Sequence, residues 1–422
     1  MTPLQKPLAP IPALSQPPAR CDVLVVGAGP AGSATAMTLA RAGVDVVLVD
    51  QHDFPREKVC GDGLIPDAQA ALRRLGVFDE VMASAQRASH VACIGPRGGR
   101  LEVAGALAVL PRRELDHILC RAAVAAGAKL VTPARFDAAL EADGRVAGAR
   151  LQMGGASHEV QAQWVVLATG ASPQALQATG MCTRRTPSGM ALRGYVKNDA
   201  MAGRIKALEV VWHPKMKPGY GWIFPAPDGR FNIGVGIAPS HVRTADGRYE
   251  MRNLNLREVF AAFTECYAPA RELMQGGQLQ GELKGAPLRF SLEGAHWSRP
   301  GLLVTGEAAG STYAFTGEGI GKAMETGLHA AEALLAGRSQ GQSDADIRAA
   351  YEARLAALRP RFAIYERANR VNKHPWIADL VVWSARRSPQ RLKRMEGVLA
   401  ETHIPSDVAS LGGVLRLLFD RR

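Results

Sequence analysis

Short unbroken apolar runs alternate with small-residue helical stretches over the first part of this chain, the pattern of a parallel sheet buried on both faces. Val23-Leu-Val-Val26 predicts one strand, residues 33–42 the helix after it, and Val44-Asp-Val-Val-Leu-Val49 a second strand. Trp164-Val-Val-Leu167 and Leu302-Leu-Val304 predict two more. Leu115, Ile118, Leu119 and Ala122 fall on one face of a further helix. From about residue 185 to 285 the pattern becomes that of antiparallel sheet and irregular structure.

The clearest antiparallel unit is a hairpin turning at Asp228-Gly229. Side chains alternate along a strand, so Tyr220, Trp222 and Phe224 share a face. On the return strand Phe231, Ile233, Val235 and Ile237 take one side, and Asn232, Gly234 and Gly236 the other. Glycines there leave volume, and aromatics beside such a space line an apolar cavity. The alternative is a half-buried hairpin whose aromatics are simply core.

The turns carry the chemistry. Gly27-Ala-Gly29-Pro30-Ala31-Gly32 joins the first strand to its helix. Gly27 allows the tight turn, Gly29 lets backbone approach a pyrophosphate, and Gly32 lets helix pack on strand. The anion then meets the helix N-terminus. Asp50 closes the second strand, eighteen positions after Gly32, where an acid accepts hydrogen bonds from a ribose. Gly170 ends another strand and brings its turn toward the same ligand. After Leu302-Leu-Val304, Gly306-Glu307-Ala-Ala-Gly310 leads to Gly317-Glu318-Gly319-Ile320 and a helix start whose free N–H groups suit the anionic edge of a reduced flavin ring. Together the two motifs point to a flavin dinucleotide.

Two other segments supply candidates. Arg112, ahead of the predicted helix, either reaches the dinucleotide or pairs with Glu114 or Asp116. The loop Arg56-Glu-Lys58-Val-Cys60-Gly61-Asp62-Gly63 sets glycines around an aspartate, which suggests backbone close to a ligand. Its Cys60 is a proton donor or a small apolar filler.

Composition narrows the class. The chain has 422 residues, 47% of them hydrophobic, enough for two or three domains. No run approaches the roughly 20 apolar residues of a membrane span. Six scattered cysteines without CxxC spacing suggest neither a metal site nor a disulfide framework. Prolines at 3, 7, 10, 12, 17 and 18 would break a signal peptide, so residues 1–19 are expected to be a disordered tail on a cytoplasmic protein.

The net charge of +12 favours a polyanionic neighbour. Arg386, Arg387, Arg391, Lys393 and Arg394 cluster ahead of an apolar stripe of Leu411, Val414, Leu415 and Leu418, with Phe419 adjoining. This region either lies on an anionic membrane surface or packs on the protein body. No nucleic-acid recognition motif accompanies the charge.

Lys58-Val-Cys60-Gly61-Asp62-Gly63-Leu64, Tyr220-Gly-Trp222-Ile-Phe224-Pro225 and Gly317-Glu318-Gly319-Ile320, in this order, resemble three hallmarks of the geranylgeranyl reductase family, within the FAD enzymes similar to para-hydroxybenzoate hydroxylase. The resemblance runs from about Cys21 to the C-terminus. It implies an α/β fold: a Rossmann-type FAD-binding domain (20–86, 107–184 and 288–340), an antiparallel-sheet substrate domain (87–106 and 185–287) and a C-terminal helical region (341–422). It further implies FAD as cofactor, reduced by NAD(P)H or an electron-donor protein, and hydrogenation of double bonds in a hydrophobic isoprenoid lipid or quinone. The cysteine loop would lie near the flavin and the aromatic motif along the substrate pocket. Cys60 or Tyr220 would supply the proton, and the faces of Tyr220, Trp222 and Phe224 would stabilise positive charge in the transition state. A monooxygenase or halogenase is the competing reading, and a non-catalytic flavin or lipid carrier a third.

Three positions depart from the family pattern. Glu307 stands where aspartate is usual, Ala314 where proline is common, and Thr169 where hydroxylase-like relatives carry aspartate. The last change, with only one dinucleotide fingerprint, points to a reductant that docks transiently or comes from a partner protein.

Overall fold

The structure, a computed structural model, describes residues 8–405, 410, 412 and 413. The apolar runs form one layer. Strands pair in the order Ser298–Arg299, Leu302–Val304, Ala156–Leu167, Arg20–Val26, Val46–Val49 and Lys129–Val131, all parallel except at the first edge. Arg135–Ala142 and Arg145–Met153 extend the long third strand as an antiparallel flap. Residues 23–26 and 46–49 are fully enclosed, as a sheet covered on both faces requires.

The helix Pro30–Arg41 begins with proline at its first position, where no N–H is needed. Its small side chains admit the helix Ile320–Gln340 at close range. A Cβ on Gly327 would stand 2.4 Å from the Ala31 carbonyl, and Thr35 Oγ1 donates to the Gly327 carbonyl at 3.0 Å. Two helices that start at cofactor-facing turns are thereby locked together.

The second sheet runs Gln278–Leu288, Gly189–Lys197, Arg230–Ile237, Gly219–Ala226, Leu208–Val211, Gln86–Ile94, Arg100–Val109 and Gly63–Leu64. It is antiparallel apart from the pairing of Leu208–Val211 with Gln86–Ile94. Phe231, Ile233, Val235 and Ile237 face the helix Leu256–Cys266, packing with Phe260 and Phe263. The opposite face looks toward the loop 56–63 and the helices Trp376–Arg386 and Pro389–Leu399.

The expected disordered tail needs correction. Leu14 pairs with Val131, its N–H donating to the Leu130 carbonyl at 2.8 Å, so part of that segment adds to the sheet edge. The apolar stripe from Leu411 to Phe419 lies outside the described residues. Among the described residues no helix is long and apolar enough to cross a membrane, and no cluster of metal-ligating side chains occurs.

Candidate active site

One cavity of about 1120 Å³ runs between the two sheets and joins most of the residues singled out above. Its first half is polar. Gly27, Gly29, Pro30 and Ala31 form one wall, with Asp50, Arg56 and Arg112 opposite. Asp50 Oδ2 accepts from the Ala28 N–H at 2.9 Å, which ties the glycine turn to the end of the second strand. Gly29 has φ −77°, so its backbone conformation does not demand glycine; the missing side chain instead leaves open the space between the turn and the arginines. A Cβ there would come within 3.6 Å of Arg56 and 3.8 Å of Arg112. Gly32 works differently: a Cβ would meet the Gly27 carbonyl oxygen at 1.8 Å. It packs the turn and does not line the cavity, and Gly306, against Ala31, does the same.

Two glycine-backed helix starts, flanked by paired arginines, fit a dinucleotide. Three buried polar atoms beside them, Arg56 Nε, Thr169 Oγ1 and Glu307 Oε1, have no hydrogen-bond partner among the described residues. Lys58 stands 3.9 Å from Glu307 Oε2, and Gly170 holds a left-handed turn on the same wall. Arg112 makes the expected pairing with Asp116 and also stands on the cavity wall. It pairs bidentately with Asp116 at 2.6 and 2.8 Å, yet it is buried, lines the cavity and reaches the Cys60 thiol.

Cys60 sits at the junction of the two halves. The Asp62 N–H donates to its Sγ at 3.4 Å, and Phe224 covers Gly61 and Gly63. Asp62 itself is wholly buried with φ 65°, a conformation aspartate tolerates better than most residues. Tyr195 and Asn232 both donate to its Oδ2. Burial pushes its carboxyl up to about 6, against the opposing charge of Arg193. Asp62 therefore braces the loop through these bonds while standing on the cavity wall.

The second half of the cavity is apolar. Tyr220, Trp222 and Phe224 line it, with Trp212 and Phe315 beyond them. The hairpin reading needs one correction: the volume left by Gly234 is already filled, because a Cβ there would fall 2.4 Å from the Trp222 ring. Asn232 and Gly234 therefore position Trp222, and only Gly236 of that face borders the cavity. Tyr220 donates its hydroxyl to the Thr316 carbonyl at 2.9 Å, and burial pushes its pKa up further. A hydroxyl so committed is a poor acid, which leaves Cys60 as the better of the two candidates.

Gly317, Gly319 and Ile320 form the far wall, with Gly319 the N-cap of the helix Ile320–Gln340. Gly317 makes room for Tyr220, whose hydroxyl would lie 2.6 Å from a Cβ. Between them Glu318 lines the cavity. Burial first, then the charges of Asp67 and Glu401, hold its carboxyl well above the usual carboxylate range.

Several lining residues carry no signal in the sequence. Arg56 bridges Asp50 at 3.3 Å and Asp116 at 3.0 Å, and buried Arg193 donates to the Lys58 carbonyl at 3.1 Å. The apolar end is closed by Ala378, Val382 and Ala385 of one C-terminal helix and Met395, Val398 and Leu399 of the next.

The sequence matches the model of an FAD binding domain over residues 20–219. It is 34% identical over 330 residues to the menaquinone reductase of Mycolicibacterium smegmatis, covering 75% of this chain and 77% of that one. It is 29% identical to digeranylgeranylglycerophospholipid reductase 1 of Methanopyrus kandleri, covering 79% and 85%. A geranylgeranyl bacteriochlorophyll reductase-like protein from Thermoplasma acidophilum shares the fold, with TM-score 0.70, 22% identity and coverage of 95% and 96%. A flavin-dependent brominase shares it equally, with TM-score 0.72, 19% identity and coverage of 95% and 98%.

Proposed function

We propose that this chain, which belongs to the geranylgeranyl reductase family of FAD-dependent oxidoreductases, saturates carbon–carbon double bonds of an isoprenoid lipid or quinone. One observation carries the reading: the dinucleotide half of the cavity opens, past Cys60, directly into a half lined by aromatic and aliphatic side chains. The sequence relatives are named as reductases, which favours this reading over the halogenase alternative.

FAD supplies the hydride when reduced. Gly27, Gly29, Pro30 and Ala31 would cradle its pyrophosphate, Asp50 its ribose, and Glu307, Gly317, Gly319 and Ile320 its ring end. Arg112 and Arg56 would balance phosphate charge. The apolar half holds the substrate chain and excludes water. Tyr220, Trp222 and Phe224 present ring faces toward positive charge on the reacting carbon. Cys60 gives the matching proton, held in place by the Asp62 N–H and kept near Arg112. The reductant is NAD(P)H or a donor protein that docks transiently, and the basic C-terminal region would rest on an anionic membrane from which the substrate comes.

The test is to photoreduce the enzyme, add a polyprenyl lipid or quinone without oxygen, and analyse the extract by mass spectrometry. A gain of two hydrogens as flavin reoxidises supports the proposal. Reoxidation that needs oxygen, with a hydroxylated or halogenated product, overturns it.

A further inference from the structure

The helix Trp376–Arg386 has two faces of different character. Ala378, Val382 and Ala385, spaced at i, i+4 and i+7, line the apolar end of the cavity. Trp376 and Trp383 lie seven positions apart on the other side and are 56% and 44% exposed. No other tryptophan is among the exposed large hydrophobic residues described. The Arg387 guanidinium sits 4.2 Å over the Trp383 ring. Ile404, 38% exposed, borders both the cavity and the surface nearby.

Charge sets the partner. Residues 370–394 contain seven lysines and arginines against one acid, Asp379, so the segment carries a net positive charge. Indole rings beside cations suit the boundary between anionic headgroups and acyl chains, where an apolar ring and its polar N–H are both accommodated. A protein partner with an acidic surface would use the same cations but would not require two exposed indoles backing onto an apolar cavity.

We infer that the Trp376/Trp383 face docks on an anionic lipid bilayer and that the isoprenoid chain passes from the bilayer into the cavity beside this helix. The inference rests on the proposed isoprenoid chemistry for its second half only; docking stands on the surface alone.

The experiment compares the FAD-loaded wild type with Trp376→Ser/Trp383→Ser. Both positions are exposed, so fold and flavin content should not change. Binding is measured by cosedimentation with phosphatidylcholine vesicles with and without phosphatidylglycerol. Turnover is measured with substrate in vesicles and with the same substrate in detergent micelles. The wild type should bind the anionic vesicles, and the double variant should bind on the order of tenfold more weakly or worse. Vesicle turnover should fall in parallel while micelle turnover holds. A wild type that ignores anionic vesicles, or a double variant that binds them as well, overturns the docking. Vesicle binding that survives loss of the indoles but disappears on neutralising the arginines would make the contact purely electrostatic and also overturns docking through the Trp376/Trp383 face. If neither form turns over the isoprenoid in micelles, the functional reading fails while the vesicle result still decides docking.

Discussion

The indole N–H of Trp222 donates to the side-chain oxygen of Asn232 at 2.9 Å. The Asn232 amide then donates to the Cys60 carbonyl and to Asp62 Oδ2, each at 2.7 Å. An aromatic wall of the substrate half is thus wired to the loop that borders the cofactor half. Movement of the indole would be felt at Cys60.

Trp222→Ala should therefore lose more than a pocket wall. Removing a buried tryptophan side chain costs roughly 3–5 kcal/mol, and the change also leaves the Asn232 oxygen without its donor. Trp222→Phe keeps most of the volume, so its loss should be nearer the cost of one unmade bond, about 1–3 kcal/mol. Urea titration separates the two. Turnover should fall in both variants while Trp222→Phe retains FAD, and a Trp222→Ala protein of unchanged stability would contradict the wiring.

The glycine turn makes a sharper pair. Gly29→Val places its side chain between the turn and the arginines without backbone strain, so the variant should fold and purify colourless. Gly32→Ala collides with the Gly27 carbonyl, so it should be strongly destabilised whether or not flavin is supplied. Flavin absorbance together with a thermal melt checks both. A yellow Gly29→Val protein with full flavin content would remove the pyrophosphate assignment.

Residues whose role is set by local spacing were readable from the sequence, and these two glycines show why. A strand, a turn and a helix start are neighbours along the chain, so Gly27, Gly29, Gly32 and Asp50 announce themselves. The two faces of the hairpin follow equally from alternation. What spacing cannot say is which neighbour fills a gap. Gly234 looked like cavity and holds the Trp222 ring, and Gly306 looked like a ligand contact and packs on Ala31. Arg193, and the bridging role of Arg56 at the head of the candidate loop, escaped notice because their partners lie on other elements. Val382 and Leu399 reach the cavity only through the way the C-terminal helices fold back.

Cys60→Ser tests the proton source. Serine keeps the size and a contact for the Asp62 N–H but is a far weaker acid. Rapid mixing should show reduction of the flavin little changed and its reoxidation by substrate slowed by roughly a hundredfold or more. Equal slowing of both steps would mean that the substitution disturbs the site as a whole, and unchanged reoxidation would move the acid role elsewhere.

Glu318 is the natural place to look in that case. Its side chain lines the cavity, and burial raises its affinity for a proton, so glutamine keeps the shape while removing the transferable proton. Glu318→Gln should retain flavin and stability at neutral pH. If turnover also survives, Glu318 shapes the site without giving up its proton. If turnover collapses while Cys60→Ser remains active, the proton comes from Glu318.

Asp62 links the site to pH. Its carboxyl titrates near 6 in the folded protein against 3.8 as the ordinary value, mainly because it is buried. Between those values the folded protein binds the proton more tightly than the unfolded chain. Stability from this group is therefore greatest below about pH 4 and falls as pH rises through 6, by about 3 kcal/mol in all. Asparagine is nearly isosteric and tolerates the same left-handed backbone. With its oxygen toward Tyr195 and Asn232, its NH2 would take the place of Oδ1, which has no partner among the described residues. Asp62→Asn should accordingly flatten the stability profile between pH 4 and 7, and the difference from wild type cancels the other carboxylates that titrate there. Urea midpoints measured across that range provide the check. A variant whose profile runs parallel to that of the wild type would show that Asp62 stays ionised throughout, paired with Arg193 in the folded protein.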